Sequence, residues 1–349
     1  MTDKTLGKNA VIEGVDLNAL AEWMETEGFS GAEISNAQIL SGGSQNILVR
    51  FEKGGREFVL RRPPLAKRGN SDETMNREAR VLKALQGSPV PHPGFIANCE
   101  HMDVLGACFY LMEPIEGFNP AEGLPALHQG DANMRHQMGL NLVRAIARLG
   151  ELDYQAIGLE GFGKPEGYLA RQAGRWRKQL DAYSDLQAYP GPDIPGLDQV
   201  SYWLEDQLPK DYRPGVIHGD CHIANVMFSR HDAEVAALVD WELSTIGDPL
   251  LDLGWILATS PDESGDRSGP PPWASYPSAT ELIASYAEIS TRNLDALNWY
   301  EVLACYKLGI ILEGSYARAC AGKARQSTGD KFHAITCTLF RRALRRISA

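Results

Sequence analysis

The sequence predicts an α+β fold in two parts, a small antiparallel sheet carrying a helix and a larger, mainly helical remainder. Three observations lead there. Short strand-patterned runs cluster between residues 32 and 64 and return at 108–117, with one amphipathic helix between them. From residue 131 onward the periodicity becomes helical, and strand-like segments are few and brief. At 349 residues and 44% hydrophobic content, the chain is long enough to bury a substantial core without covalent staples. The character changes near Glu116 and Gly117, so the expected lobes are residues 1–115 and 116–349.

Residues 16–28, DLNALAEWMETEG, place Leu17, Leu20, Trp23 and Met24 at helical spacing, with Asp16 suited to the N-cap and Gly28 to the stop. The run AEISNAQILSGGSQNILVRFEKGGREFVLRRPP then reads as three short strands with turns at SGGSQN and KGG. The second turn lies between apolar runs and predicts a hairpin. In DETMNREARVLKALQ (72–86), Met75, Ala79, Leu82 and Leu85 form one stripe, which Gly87 ends. The following PVPHPGF reads as proline-punctuated loop, and CFYLMEPIEG (108–117) as a strand running into a turn. Beyond it, MRHQMGLNLVRAIARLGEL, GYLARQAGRWRKQLDAY and LDQVSYWLEDQL are helical, while GVIHG, NVMFS and AALVDWE are strand-like. The insert SPDESGDRSGPPPWASYP (260–277) has a loop composition.

Bulk properties narrow the function. Six cysteines are scattered with no CxxC pair, which predicts buried, reduced thiols rather than a zinc ribbon or a dithiol motif. The N-terminal MTDKTLGKNAVIEGVDL lacks the basic start and apolar run of a signal peptide, so a cytoplasmic, non-membrane protein is expected. A net charge of −11 argues against a nucleic-acid partner, because phosphate backbones are held by clustered Lys and Arg. The basic run FRRALRRISA at the C-terminus has helical spacing and reads as a solvated face.

The chemistry concentrates in VIHGDCHIANVMF (216–228). His218 and His222 are four apart, the spacing of a zinc helix, yet VIHG reads as a strand end and a glycine turn. A second pattern is carried by oxygen donors: Asp220, then Asn225 five positions on, then Asp240 after the apolar run AALV. Protein kinases carry His-X-Asp, four residues, Asn, and a magnesium-binding Asp on the next strand. Together with DWE and GDPLLDL, this HGDxxxxN pattern resembles the aminoglycoside phosphotransferase family, which has a protein-kinase-like bilobal fold. LSGGSQN, FVLRRPP, FYLMEPIEG and GLEGFGKPEGYLARQAGRW resemble its branch related to the kinase-like domains fused to some acyl-CoA dehydrogenases.

The resemblance implies roles for individual residues. Asp220 would orient or deprotonate the acceptor hydroxyl, and Asn225 and Asp240 would hold Mg2+, a hard ion that prefers oxygen. The family's phosphate-gripping strand lysine is absent; Arg61 stands there, with Arg62 as the fallback, and Glu78 is the helix carboxylate that would pair with it. Gly42, Gly43 and Ser44 would cover the phosphates of ATP or GTP, and the stretch Met112 to Pro114, including Glu113, would meet the base. His218 is expected behind the loop as a structural group, Asp248 and Asp252 as caps, and Cys221 and His222 are given no chemistry.

For the acceptor, Gly219 replaces the arginine that many regulated protein kinases carry. Only seven residues, Trp241 to Gly247, separate Asp240 from Asp248. A small-molecule hydroxyl is therefore expected, and the branch resemblance implies a hydroxylated acyl or related metabolite. The acidic helical part would instead suit an aminoglycoside or choline-like cation. In NWYEVLACYKLGIILEGSYARACAGKARQ, the mixture of Tyr300, Tyr306, Lys307, Tyr316, Arg318, Lys323 and Arg325 would suit an anionic or acyl acceptor, while at helical spacing the tyrosines equally suit core positions with a polar tip. The Arg61 departure keeps a nucleotide-binding pseudokinase or interaction module as the competing class.

Overall fold

Asp16 opens the first helix as its sequence position predicts: its carboxylate accepts from the amides of Asn18 at 2.9 Å and Ala19 at 3.1 Å, capping α1 (Leu17–Thr26). The structure, a computed structural model, describes residues 12–40, 46–67, 69–261 and 273–348. It divides into two compact units, one formed by Met1–Glu116, Ile157–Leu159 and Ala236–Glu242, the other by Gly117–Ala156, Glu160–Val235 and Leu243–Ala349.

In the first unit, β1 (Ser35–Ile39), β2 (Ile47–Lys53) and β3 (Arg56–Arg62) precede α2 (Ser71–Leu85), which leads to β4 (Phe95–Cys99) and β5 (Phe109–Met112). The sheet is antiparallel in the order β1-β2-β3-β5-β4. Lys53 pairs with Arg56 across Gly54 and Gly55, whose φ of 61° and 76° are the left-handed values that a two-residue hairpin turn needs. Val49, Phe51, Phe58, Leu60 and Leu111 pack with Leu20 and Met24 of α1 in one apolar core. The α2 stripe is buried as its spacing predicts, and Glu78 is buried with it.

One strand departs from the sequence reading. PVPHPGF is loop only as far as Gly94; Phe95 begins β4, whose Asn98 and Cys99 pair with Tyr110 and Phe109. FIANC is five residues long and gains its identity from pairing with β5, so it has almost no local signature.

The second unit carries α3 (Ala126–Gly130), α4 (Ala132–Glu151), α5 (Gln172–Asp181), α6 (Leu197–Asp206), β6 (Gly215–Ile217) and β7 (Val226–Phe228). β8 (Val235–Leu238), which leads to Asp240, lies from Ala236 onward in the first unit, and the second unit resumes with β9 (Thr245–Gly247), α7 (Leu250–Thr259), α8 (Ala279–Ala287), α9 (Leu297–Cys320) and α10 (Gln326–Ser348). β9, a three-residue strand not foreseen from the sequence, pairs antiparallel with β6 and braces the segment that enters the 216–228 motif. The inner half of the 260–277 insert, residues 262–272, lies outside the described residues; at its far flank the Trp273 indole donates to the Arg135 carbonyl at 2.6 Å. Among the described residues no helix is long and apolar enough to cross a membrane.

α9 is enclosed on nearly all sides, with Tyr300, Val302, Cys305, Tyr306 and Ile310 fully buried between α7 and α10. Tyr300 and Tyr306 are thus core residues with a polar tip, as their helical spacing allows. Tyr300 donates to the Asp248 carboxylate at 2.9 Å and Tyr306 to Ser201 at 3.2 Å, so both hydroxyls serve the interior.

The basic C-terminal run is likewise not wholly solvated. Arg342 is buried, pairs with Glu301 at 2.9 Å and donates to the Leu257 and Ser260 carbonyls at 2.7 Å each, closing the C-terminal end of α7. Arg342→Ala leaves Glu301 and two carbonyls without this partner in the interior, and a loss of about 3–5 kcal/mol in denaturant unfolding is expected. A loss below about 1 kcal/mol, the value for an exposed pair, would contradict the burial.

Candidate active site

The motif of 216–228 is held by its own backbone. β6 ends at Ile217, and the buried Asp252 of α7 accepts from the His218 amide at 2.7 Å and the Gly219 amide at 2.9 Å. Gly219 turns the chain at φ +86°, and a Cβ there would stand 2.4 Å from the Leu243 carbonyl oxygen. Only glycine fits, so the departure from the protein-kinase arginine has a steric cause. The Gly219 carbonyl in turn accepts from the Lys307 ammonium at 2.9 Å.

This clamped turn presents Asp220, which is half-buried. The Asn225 amide group donates to the Asp220 backbone carbonyl at 2.9 Å and to its carboxylate at 3.1 Å. His222 lies 3.5 Å from the other carboxylate oxygen, and its Nδ1 accepts from the Ala224 amide at 3.2 Å. Burial pushes the Asp220 carboxyl up, but the hydrogen bond from His222 and the charges of His222, Lys307 and His218 outweigh it and hold it below the ordinary range. Asp220 is therefore ionised at neutral pH, suited to orienting a hydroxyl and accepting its proton late.

The neighbouring soft donors have other duties. Cys221 is buried, and burial raises its thiol well above the usual value, which keeps it protonated. Among the described residues no group of three or more His, Cys, Asp or Glu side chains is placed to hold a metal ion. His222, given no chemistry by its sequence position, lies against the Asp220 carboxylate; nothing in its spacing signals this.

In the first unit, Arg61 is buried, with the Glu78 carboxylate 3.0 Å from Nε and the Asp240 carboxylate 2.7 Å from Nη2. The Tyr110 hydroxyl donates to that same Glu78 oxygen at 3.0 Å. The arginine and the helix carboxylate that the sequence pairs are thus brought together, and Arg61 bridges two acids. Asp240 holds φ +69°, a left-handed conformation uncommon outside glycine, which marks a position over-determined by its surroundings. Burial acts to lower the Arg61 pKa, but the charges of Glu78 and Asp240 overcome it, so the guanidinium is firmly charged.

Burial pushes Glu78 up to about 7 against the pull of Arg61, with the Asp240 charge adding to the rise. A carboxyl whose native value exceeds its unfolded value contributes stability that is complete below about pH 4.5 and lost as pH rises through about 7. Glu78→Gln has no such dependence, so its unfolding free energy relative to the wild type is expected to climb across that window and then level off, by an amount of order 2–3 kcal/mol. A pH-independent difference would show that Glu78 is ionised throughout.

Several other residues named from the sequence have partners of their own. Arg62, the fallback for Arg61, donates to the carbonyls of Gly14, Pro63 and Leu105, a structural clamp with its head turned into the unit. Glu113 gives its amide to the Gly94 carbonyl at 2.8 Å and its exposed carboxylate to Arg56 at 3.1 Å. Its side chain thus meets the first residue of β3. Gly42, Gly43 and Ser44 lie outside the described residues. Asp248 and Asp252 are buried and serve the Leu250, His218 and Gly219 amides, as caps and braces.

The donors named for magnesium fit a hard cation. Asn225 spends its amide nitrogen on Asp220, which leaves its carbonyl oxygen for a ligand, and Asp240 engages Arg61 through one carboxylate oxygen only. Both are oxygen donors of the kind Mg2+ takes in ones and twos beside substrate phosphates.

Comparison with known proteins agrees with this arrangement. The model of the phosphotransferase enzyme family (APH) matches residues 36–281. Acyl-CoA dehydrogenase family member 11 of Homo sapiens is 34% identical over 315 residues, covering 86% of this chain and 38% of that protein. Acyl-CoA dehydrogenase family member 10 of Mus musculus is 30% identical over 301 residues, covering 84% of this chain and 27% of the relative. The chain thus spans well under half the length of the curated relatives it matches. Among solved structures, a Ralstonia eutropha protein provisionally named an aminoglycoside phosphotransferase superposes with a TM-score of 0.79 at 29% identity, over 95% of this chain and 98% of that one. The GDP complex of aminoglycoside 2′-phosphotransferase-IIIa shares the fold at a TM-score of 0.60 and 14% identity, over 94% and 98%.

Proposed function

The chain belongs to the phosphotransferase enzyme family, and from that premise we propose that it moves the γ-phosphoryl group of ATP to a hydroxyl of a small molecule. The observation that carries the reading is the Asp220–Asn225 arrangement, an ionised carboxylate oriented by an amide whose own carbonyl is left open. A binding module has no use for a clamped, ionised base, so this geometry favours an enzyme over a pseudokinase. Phosphoryl transfer asks the protein mainly to align two oxygens and neutralise charge. Asp220 orients the acceptor hydroxyl and takes its proton as the new P–O bond forms and the β–γ bridging bond breaks. Arg61 organises Glu78 and Asp240, filling the place of the family's lysine in the ion pair. Asn225 and Asp240 would hold Mg2+, which when bound supplies neutralisation of phosphate charge.

For the acceptor, a hydroxylated acyl or related anionic metabolite is the better supported class. The similarity to acyl-CoA dehydrogenase family members is one support. A second is a cavity of about 670 Å³ in the second unit, lined by Arg171, Arg175 and Lys178 with Glu205 as its one acid. These cations lie at successive turns along α5 and its entry, one side of the helix, and that wall suits carboxylate or phosphate better than an aminoglycoside.

The test is a screen of hydroxyl-bearing metabolites with MgATP, followed by mass spectrometry for a new phosphomonoester. Transfer to a hydroxyacyl thioester with kcat/KM well above that for kanamycin or choline is the expected result. Efficient phosphorylation of aminoglycosides with no use of hydroxyacyl thioesters would overturn the acceptor class, and no ATP consumption with any acceptor would overturn the phosphotransferase reading.

A further inference from the structure

We propose that Lys307 is a positioning residue for Asp220, holding the peptide that precedes it from inside the second unit. The inference rests on the phosphotransferase reading above. Lys307 sits in the middle of α9, a helix whose neighbouring turns are almost wholly apolar and enclosed. Its ammonium donates to the Gly219 carbonyl at 2.9 Å, stands 4.4 Å from the ring centroid of Trp255 on α7, and stands 5.6 Å from that of Trp176 on α5. Three helices therefore converge on one cation, and the cation converges on the residue before Asp220.

The arrangement is costly as architecture alone. An ammonium carries three donors, and the contacts here supply one oxygen and two aromatic faces, which replace water only in part. Desolvation lowers Lys307 to about 8 although the charges of Asp220 and Asp252 pull it upward. If the Gly219 carbonyl needed only a donor, an uncharged side chain would satisfy it without stripping a charge of water. What the cation adds is direction and field. Asp252 holds the Gly219 amide at 2.9 Å and Lys307 holds its carbonyl, so both polar groups of the glycine are fixed. Glycine is the most permissive residue in the chain, and without such a clamp its rotation would swing the Asp220 carboxylate. A misplacement of about 1 Å at a reacting group costs on the order of 100-fold in rate.

The experiment compares wild type, Lys307→Met and Lys307→Arg in the MgATP and hydroxyl-pool assay, with circular dichroism and thermal melting on each. Lys307→Met keeps the length of the stem and removes the cation and the donor. It is expected to fold and to lose about 10- to 100-fold in kcat, with KM for MgATP within about twofold of wild type. Lys307→Arg, which keeps a charged donor, is expected to recover part of the loss. A folded Lys307→Met with wild-type kcat overturns the proposal, as does a loss expressed only in the KM for MgATP. Failure of Lys307→Met to fold assigns the residue to stability and overturns it too. Likewise, a folded Lys307→Arg no better than Lys307→Met shows that the charged donor is not what matters. An inactive wild type sinks the phosphotransferase reading and this inference with it, whereas an active wild type matched by Lys307→Met sinks this inference alone.

Discussion

Asp220→Ala is expected to lower phosphoryl transfer by about 10²- to 10⁴-fold, the range for removal of a positioned general base. Affinity for nucleotide is expected to stay within about threefold of wild type, because the substitution removes an interaction with the acceptor. The loop around it should survive. Asn225 still donates to the backbone carbonyl of residue 220, Asp252 still holds the His218 and Gly219 amides, and Lys307 still holds the Gly219 carbonyl. Single-turnover kinetics with MgATP and the best acceptor, beside nucleotide titration, separate the two quantities. Turnover unchanged by the substitution would remove Asp220 from the chemistry, and a parallel collapse of nucleotide binding would mean that the loop had been disrupted.

Gly219→Ala should be the most damaging single-methyl change in the motif. Two costs combine there. A left-handed backbone penalises an L side chain by about 1–2 kcal/mol, and the new Cβ would stand 2.4 Å from the Leu243 carbonyl oxygen and 3.0 Å from its carbon, backbone atoms that cannot rotate away. A loss of about 3 kcal/mol or more is expected in chemical denaturation, with activity falling further than stability because the displaced peptide carries Asp220. Gly55 provides the control: its φ is +76° but a Cβ added there would meet nothing within 4 Å, so Gly55→Ala should cost only the conformational penalty, about 1 kcal/mol. Equal losses in the two variants would contradict the close approach at Leu243.

Much of the fold was legible in advance where the signal is local. Asp16 before α1, the two glycines of the β2–β3 turn and the Met75, Ala79, Leu82, Leu85 stripe each act within a few residues of themselves, and each behaves as its chemistry requires. β4 and β9 were not legible, since strands of five and three residues are defined by a partner elsewhere in the chain. The site divides in the same way. The order Asp220, Asn225, Asp240 is a spacing, and a spacing can be read. The bond from Arg61 to Asp240 spans 179 residues and that from Lys307 to Gly219 spans 88, and no periodicity reports either.

Charge was the property most often misjudged. Arg62, Lys307 and Arg342 carry no local sign of their depth, yet Arg62 and Arg342 are buried and Lys307 is half-buried with a desolvated head, whereas Arg61 was already matched with Glu78. A sequence pattern tells which face of an element is apolar, but a long cationic side chain crosses that boundary wherever the fold provides a carboxylate or a carbonyl to meet it. The sequence alone therefore determined the family, the two-part architecture and the oxygen donors of the candidate site, because these depend on residue type and short-range order. Only the tertiary structure decided which charges are interior, which peptide is clamped and which helix reaches the loop of Asp220, because burial and pairing are properties of residues that meet in space after the chain has closed on itself.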